Sequence, residues 1–149
     1  MAAKIVQNDS ELEKAAFDAM ARYVGEHYAE HVTAADIARA ATISRTRAYE
    51  IFRERAGTSP ADYLIEHRVM KAEELLAETD LPMSEVARRC GFSSPSHLAK
   101  TFRDRCGQTP TEARECLRRR KRHVEAGPLA GVAPGLTMAA LGMSYLPES

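Results

Sequence analysis

The chain has 149 residues, of which 44% are hydrophobic, 28% charged and only 6% aromatic. This size excludes a barrel enzyme with an added regulatory domain and fits one ordinary globular domain or two very small ones. The scarcity of aromatic residues favours helices over a β-sandwich. Three cysteines without a C-x-x-C pair, and an N-terminus unlike a signal peptide, indicate a reduced, cytoplasmic protein.

The formal net charge is zero, but the charges are segregated along the chain. Residues 32–60 carry five basic and three acidic side chains, residues 61–80 two and six, and residues 81–110 five and two. Residues 111–122 add six basic and two acidic side chains. Basic segments separated by an acidic one can place positive potential on one face, although ordinary surface variation gives a similar pattern.

One sequence unit occurs twice. Residues 37–44 (IARAATIS) match residues 86–93 (VARRCGFS) at an offset of 49, and Phe52-Arg53 matches Phe102-Arg103 at an offset of 50. Each copy predicts a short helix, a tight turn and a second amphipathic helix that ends at Gly and a Ser/Thr-Pro step. A helix-turn-helix unit requires this arrangement to present its second helix to the DNA major groove.

Start and stop signals predict an all-α fold of seven helices and no strand. Ser10 with Glu13, and Thr33 with Asp36, have the spacing of capping boxes. Pro at the first helical position opens the helix that follows each repeat. The predicted helices run from Ser10 to about Tyr28, from Thr33, from Ser44 to near Gly57, from Pro60 to Glu78, from Pro82 to Cys90, from Ser94 to Cys106 and from Thr111 to Arg122.

These helices predict four segments. An N-terminal helix-turn-helix subdomain covers residues 1–59, a long linker helix residues 60–80, a C-terminal helix-turn-helix subdomain residues 81–123 and a flexible Gly/Pro-rich tail residues 124–149. The linker helix, about 28 Å long, suits two recognition helices in major-groove segments about 34 Å apart. The charge-free stretch 126–147 is long enough for a membrane span, but its Gly and Pro content favours a mobile or weakly docked tail.

The runs DIARAATISRTRAYEIFRERAGTSPADYL and CGFSSPSHLAKTFRDRCGQTPTEAR resemble the two motifs of the AraC/XylS family of transcription regulators. The resemblance covers about Tyr23 to Arg118, and because no sensor domain precedes it we expect the stand-alone, MarA- and SoxS-like type. It implies a sequence-specific regulator that binds double-stranded DNA, with RNA polymerase as a further partner that no residue here locates. With the long helix between the motifs, we expect a monomer that reads two adjacent major-groove segments.

Helix phase predicts which side chains contact DNA, and family correspondence supports the assignment. Ala48, Ile51 and Phe52 should face the core of the first subdomain, and Leu98 and Phe102 that of the second. The base-contact candidates are Thr46, Tyr49, Glu50, Ser96, His97 and Lys100, and the phosphate-contact candidates are Arg45, Arg53, Ser94 and Arg103.

Two residues depart from the family pattern. Thr42 stands where the first turn commonly has Gly, as Gly91 does in the second. A left-handed Thr costs about 1 kcal/mol, so we expect a first turn of different shape. Glu50 stands where Arg is common, and a carboxylate there gains mainly by accepting a hydrogen bond from cytosine N4. The first motif should therefore bind more weakly or read an unusual sequence.

Two other functions compete with this interpretation. A protein-interaction module that keeps the fold without specific DNA binding would suit the zero net charge and Glu50. A zinc enzyme is suggested by residues 27–31, which fit the H-x-x-E-H pattern. No later ligand segment accompanies that pattern, so we interpret it as a helix end and expect no enzyme, no metal and no cofactor. Cys90 and Cys106 are expected to be small core residues.

Overall fold

The computed structural model describes the backbone of residues 2–126 and the side chains of residues 9–122. Within this range the chain forms seven helices and no strand, which confirms the predicted all-α fold. The helices are α1 (Ala2–His27), α2 (Ala34–Ala40), α3 (Arg45–Ala56), α4 (Pro60–Glu78), α5 (Met83–Cys90), α6 (Pro95–Cys106) and α7 (Pro110–Ala126).

Capping interactions set most helix boundaries where the sequence predicts them. The Thr33 hydroxyl accepts a hydrogen bond from the Asp36 amide at 3.1 Å, and the Asp36 carboxylate accepts one from the Thr33 amide at 3.0 Å. Thr109 and Glu112 form the same reciprocal pair at the start of α7, at 3.1 and 3.0 Å. Each pair satisfies amide groups that the first turn of a helix leaves without intrahelical partners.

The prediction that α1 begins at Ser10 is wrong. α1 begins at Ala2, Ser10 lies inside the helix, and its carbonyl accepts a hydrogen bond from Arg55 at 2.9 Å. The S-x-x-E spacing is compatible with a helix interior, and no Gly or Pro precedes Ser10 to interrupt the helix. α7 likewise continues past its predicted end at Arg122 to Ala126.

The predicted tail beyond Ala126, including nearly all of the charge-free stretch, lies outside the described residues. Among the described helices, none has the length and apolar character required to cross a membrane.

The chain divides into two compact units, Met1–His67 and Arg68–Ser149, and the division falls within α4. In the first unit, α1, α2, α3 and the beginning of α4 enclose an apolar core. The Phe52 ring centroid lies 5.0 Å from that of Phe17 and 5.1 Å from that of Tyr63. The buried members of this core are Met20, Val24, Val32, Ile37, Ala38, Ala48, Ile51, Phe52 and Leu64.

The second unit has a core of its own, in which α6 occupies the position that α3 has in the first. Leu98 and Phe102 are buried as predicted, and so is Cys90. Cys106, also predicted as a core residue, is only half-buried. The buried apolar residues of this unit are Val69, Ala72, Leu76, Val86, Ala87, Cys90, Phe92, Leu98, Phe102 and Ala113.

The turns of the two helix-turn-helix units share a left-handed residue and one backbone hydrogen bond at the same positions of the repeat. Gly91 has φ 89°, and Thr42, at the same position of the repeat, has φ 56°. In each unit the residue after this position donates its amide to the carbonyl five residues earlier, at 3.2 Å in the first and 2.9 Å in the second. The prediction of a differently shaped first turn is therefore wrong. Packing of the buried residues on both sides of the turn outweighs the cost of a left-handed β-branched residue.

The C-terminal end of α4 is capped by side chains of α7. Arg114 donates to the Leu76 carbonyl at 3.2 Å, and Arg118 donates to the Thr79 carbonyl. Arg118 also forms an ion pair with Asp80 at 2.6 Å. The last turn of α4 has no basic residue of its own, so these cations complement its unpaired carbonyls and the negative end of its dipole. Part of the basic run in α7 is thus engaged within the protein.

Candidate nucleic-acid interface

α3 presents the predicted contact residues of the first unit on one exposed surface. Its inner side chains are buried in the core, which fixes the rotation of the helix about its axis. The serine cap at its start and the left-handed Gly57 at its end fix its length. The outer residues are all exposed, and they are Arg45, Thr46, Tyr49, Glu50 and Arg53.

An open depression lies beside the N-terminal half of α3. It brings four of the predicted contact residues together with the first residues of α2 and α4. The Arg53 guanidinium adds a cation beside this surface, because it lies 5.7 Å from the centroid of the Tyr49 ring. The residues that line the depression are Ala34, Arg45, Thr46, Tyr49, Glu50 and Pro60.

Arg47 connects this surface to α1, a feature that helix phase did not predict. Its Nη1 donates to Glu50 Oε1 at 3.0 Å, and its Nη2 donates to the carboxylate of Glu13. The hydrogen bonds to Glu50 and to Glu13 raise the pKa of Arg47. The three-residue spacing of Arg47 and Glu50 can be recognised in the sequence. The contact with Glu13 cannot, because it depends on how α1 packs against α3.

α6 presents the corresponding surface of the second unit, where Ser96, His97, Lys100 and Arg103 are exposed. Lys100 forms an ion pair with Asp104 at 3.2 Å, and both side chains are more than half exposed. Such a pair contributes about 0.3–0.5 kcal/mol, so Lys100 can exchange Asp104 for a base or phosphate at little cost.

Ser94 and His97, two contact candidates at the start of α6, are held by local hydrogen bonds. The Ser94 hydroxyl accepts from the His97 amide at 3.0 Å as the helix cap, which leaves its hydrogen to donate. The Ser93 amide donates to His97 Nδ1 at 3.3 Å. An amide donor requires Nδ1 to be the acceptor, so in the neutral ring the hydrogen lies on Nε2. His97 can therefore donate from Nε2 to guanine or to a phosphate.

The H-x-x-E-H segment lies at the end of α1. His27 Nδ1 lies 3.1 Å from Glu30 Oε2, and the His27 ring stacks on Tyr23 with centroids 4.3 Å apart. In the part of the chain that the structure describes, no group of three or more His, Cys, Asp or Glu side chains is placed to hold a metal ion.

Comparison with known proteins agrees with this geometry. A helix-turn-helix domain family matches residues 37–115. The probable transcriptional regulator LumQ of Photobacterium leiognathi is 33% identical over 89 residues, which cover 60% of this chain and 36% of that protein. The lactose operon transcription activator of Staphylococcus xylosus is 31% identical over 80 residues, 54% of this chain and 29% of that protein. The chain thus spans about a third of the length of these relatives.

Two solved structures show the same fold. The DNA-binding domain of the global transcriptional factor AdpA, solved in complex with a target DNA, is 34% identical with a TM-score of 0.67, covering 71% of this chain and 96% of that domain. An AraC-type regulator from Chromobacterium violaceum is 28% identical with a TM-score of 0.65, covering 68% and 91%. With its two helix-turn-helix units and the match over both of them, the chain belongs to the AraC-type helix-turn-helix family of transcription regulators.

Proposed function

We propose that this chain is a sequence-specific DNA-binding transcription regulator without catalytic activity that acts in the cytoplasm. As a monomer it reads two adjacent major-groove segments, one with each unit, and its second partner is RNA polymerase.

The observation that carries the proposal is the repetition of one exposed helix surface. α3 and α6 both begin at a serine cap, end at a left-handed glycine and bury the same face. Their outer faces carry a cation (Arg53 and Arg103) and a hydroxyl group (Thr46 and Ser96) at equivalent positions. Such a surface, held rigidly by an apolar core, is what base recognition in the major groove requires.

The exposed side chains divide into two roles. Arg45, Arg53 and Arg103 supply charge for phosphate oxygens, a contact that depends on salt and carries no sequence information. Lys100, with its long flexible stem, can reach the O6 and N7 acceptors of guanine. Thr46, Tyr49, Glu50, Ser96 and His97 complete the base-reading set, and the Ser94 hydroxyl completes the phosphate set.

The proposal is tested by selecting bound sequences from a random DNA pool and measuring mobility shifts on the selected duplex. We expect one asymmetric consensus without inverted symmetry, bound by one chain per duplex. A protein that folds but selects no sequence is an interaction module, the alternative suggested by Glu50 at the DNA-facing surface.

Two variants separate the proposed roles. Arg103→Ala should weaken binding to all sequences and reduce the slope of log affinity against log salt by about one. Lys100→Ala should relax the preference at one base in one half of the site, a discrimination of about 1–3 kcal/mol. An unchanged salt slope for the first variant, or an unchanged consensus for the second, would refute the corresponding assignment.

A change in the spacing of the two half-sites tests whether a single chain binds both of them. Insertion of about five base pairs turns one half-site to the opposite face of the duplex. A single chain with a stiff connection should then lose most of its specific affinity. Tight binding to the spaced site, or selection of an inverted repeat bound by two chains, would contradict this part of the proposal.

A further inference from the structure

Glu50 is the only acidic side chain among the predicted DNA-contact residues. A carboxylate at a DNA surface is repelled by the phosphates unless a cation accompanies it. In this chain the cation is Arg47, whose guanidinium bridges Glu50 and Glu13. Glu13, Arg47 and Glu50 thus form one hydrogen-bonded network, the Glu13–Arg47–Glu50 network, between α1 and α3.

The exposure of the side chains increases along the Glu13–Arg47–Glu50 network, from α1 towards the outer surface of α3. The side chain of Glu13 is 23% exposed, that of Arg47 43% and that of Glu50 55%. A guanidinium is planar and carries several donors in fixed directions, so a guanidinium anchored on one carboxylate also fixes the position of the second. α1 thereby sets where the Glu50 carboxylate lies on the surface of α3.

Comparison with the second unit supports a dedicated role for Arg47. At an offset of 50 residues, Arg47 corresponds to His97, a predicted base-contact residue. Arg47 makes its contacts with protein carboxylates instead. At the same offset Glu50 corresponds to Lys100, so the two units carry opposite charges at one recognition position.

The second oxygen of Glu50 remains available to a ligand. Oε1 accepts from Arg47, whereas Oε2 accepts no hydrogen bond from the described part of the chain. A carboxylate oxygen at the major-groove surface accepts from the N4 amino group of cytosine. We propose that Glu13 and Arg47 are positioning residues that hold the Glu50 carboxylate as the acceptor for one cytosine N4 group. This inference rests on the proposed function.

The test compares the consensus selected by the wild-type chain with those of Glu50→Ala and Glu13→Gln. We expect Glu50→Ala to abolish a cytosine preference of roughly tenfold at one position. Glu13→Gln should reduce the preference at that same position severalfold, although it removes a negative charge and so favours DNA binding in general. In the Glu50→Ala background, Glu13→Gln should alter no base preference.

Glu11→Gln is the matched control, because it removes the same charge from an exposed position of α1 that contacts neither Arg47 nor Glu50. It should raise affinity for all sequences slightly and leave the consensus unchanged. Circular dichroism and thermal unfolding of each variant confirm that the fold is retained. Arg47→Lys, which keeps the charge without the planar donors, provides a second variant and should also weaken the cytosine preference.

The outcomes are distinct. If the wild-type chain selects no sequence, the proposed function fails and this inference fails with it. If it selects a sequence in which no cytosine depends on Glu50, or if Glu13→Gln changes the consensus no more than Glu11→Gln does, the function stands and this inference is overturned.

Discussion

Replacing Thr42 should stabilise the first unit. Its φ of 56° places a β-branched residue in the left-handed region, at a cost of about 1–2 kcal/mol. Glycine removes this cost but loses more backbone entropy on folding, roughly 0.4–1 kcal/mol. The Thr42 hydroxyl also gives up its hydrogen bond to the Ala41 carbonyl, which is exposed. We therefore expect Thr42→Gly to raise the free energy of unfolding by about 0.5 kcal/mol, and Thr42→Asn, which tolerates this region, by about 1 kcal/mol.

The assay is urea unfolding followed by tyrosine fluorescence. Four of the five tyrosines lie in the first unit, and the fifth lies outside the described residues. Most of the tyrosine signal therefore comes from the first unit, while circular dichroism reports on both.

Ala41→Gly is the control, since Ala41 has φ −105° and gains nothing from glycine. This substitution should lower the free energy of unfolding by roughly 0.5–1 kcal/mol. Equal shifts of the unfolding midpoint for Thr42→Gly and Ala41→Gly would show that the left-handed conformation carries no cost here, and would refute the reasoning.

Three further substitutions test how individual residues contribute to stability. Burial raises the pKa of Glu73 to about 7 from 4.5, with a hydrogen bond from Cys106 at 3.7 Å acting in the opposite direction. The stability that this carboxyl contributes is therefore full below about pH 4.5 and is lost as the pH rises through about 7. Glu73→Gln should remove most of that loss, which is about 2 kcal/mol between about pH 5 and about pH 8 once solvent screening of this partly exposed group is included. Urea unfolding across this pH range measures the change, and an unchanged pH profile would contradict it. Gly25→Ala, at an exposed helical position where an added Cβ meets nothing within 4 Å, should raise the free energy of unfolding by roughly 0.5–1 kcal/mol in the same assay. Arg118→Met should lower the thermal stability of the second unit by about 1 kcal/mol while the salt slope of DNA binding stays unchanged, and a reduced slope would show that Arg118 contacts phosphate.

The fold could be predicted from the sequence because its signals are local. The reciprocal Thr33 and Asp36 bonds, the serine caps of α3 and α6 and the inward face of each recognition helix all follow from spacing within one helix turn. The start of α1 could not be predicted in this way, because the S-x-x-E pattern occurs both at helix starts and inside helices. The conformation of Thr42 was also beyond local reasoning, since tertiary packing imposes a backbone angle that the residue type disfavours.

For the candidate site, the sequence predicts which residues are exposed but not which partners they have. Helix phase places Glu50 and Lys100 on the outer faces, as the structure does. It does not predict that Arg47, the neighbour of Glu50 on α3, is joined to Glu13, because that link crosses between helices far apart in sequence. The contacts of Arg118 with the end of α4 cannot be predicted for the same reason, although the basic run itself is evident in the sequence.

The two recognition helices, α3 and α6, have matching ends, so the outer residues of one can be placed on the other. Each has twelve residues, a serine before its first residue and a left-handed glycine after its last. Their outer side chains can thus be transplanted from one helix to the other without touching a core residue. A chain in which Glu50 and Lys100 are exchanged keeps its net charge and both cores. The preference of the lysine should move to the first half-site, whereas the cytosine preference should weaken, because α6 has His97 in place of the Arg47 that holds the carboxylate. A regulator built in this way can acquire a new target one half-site at a time while its stability remains nearly constant.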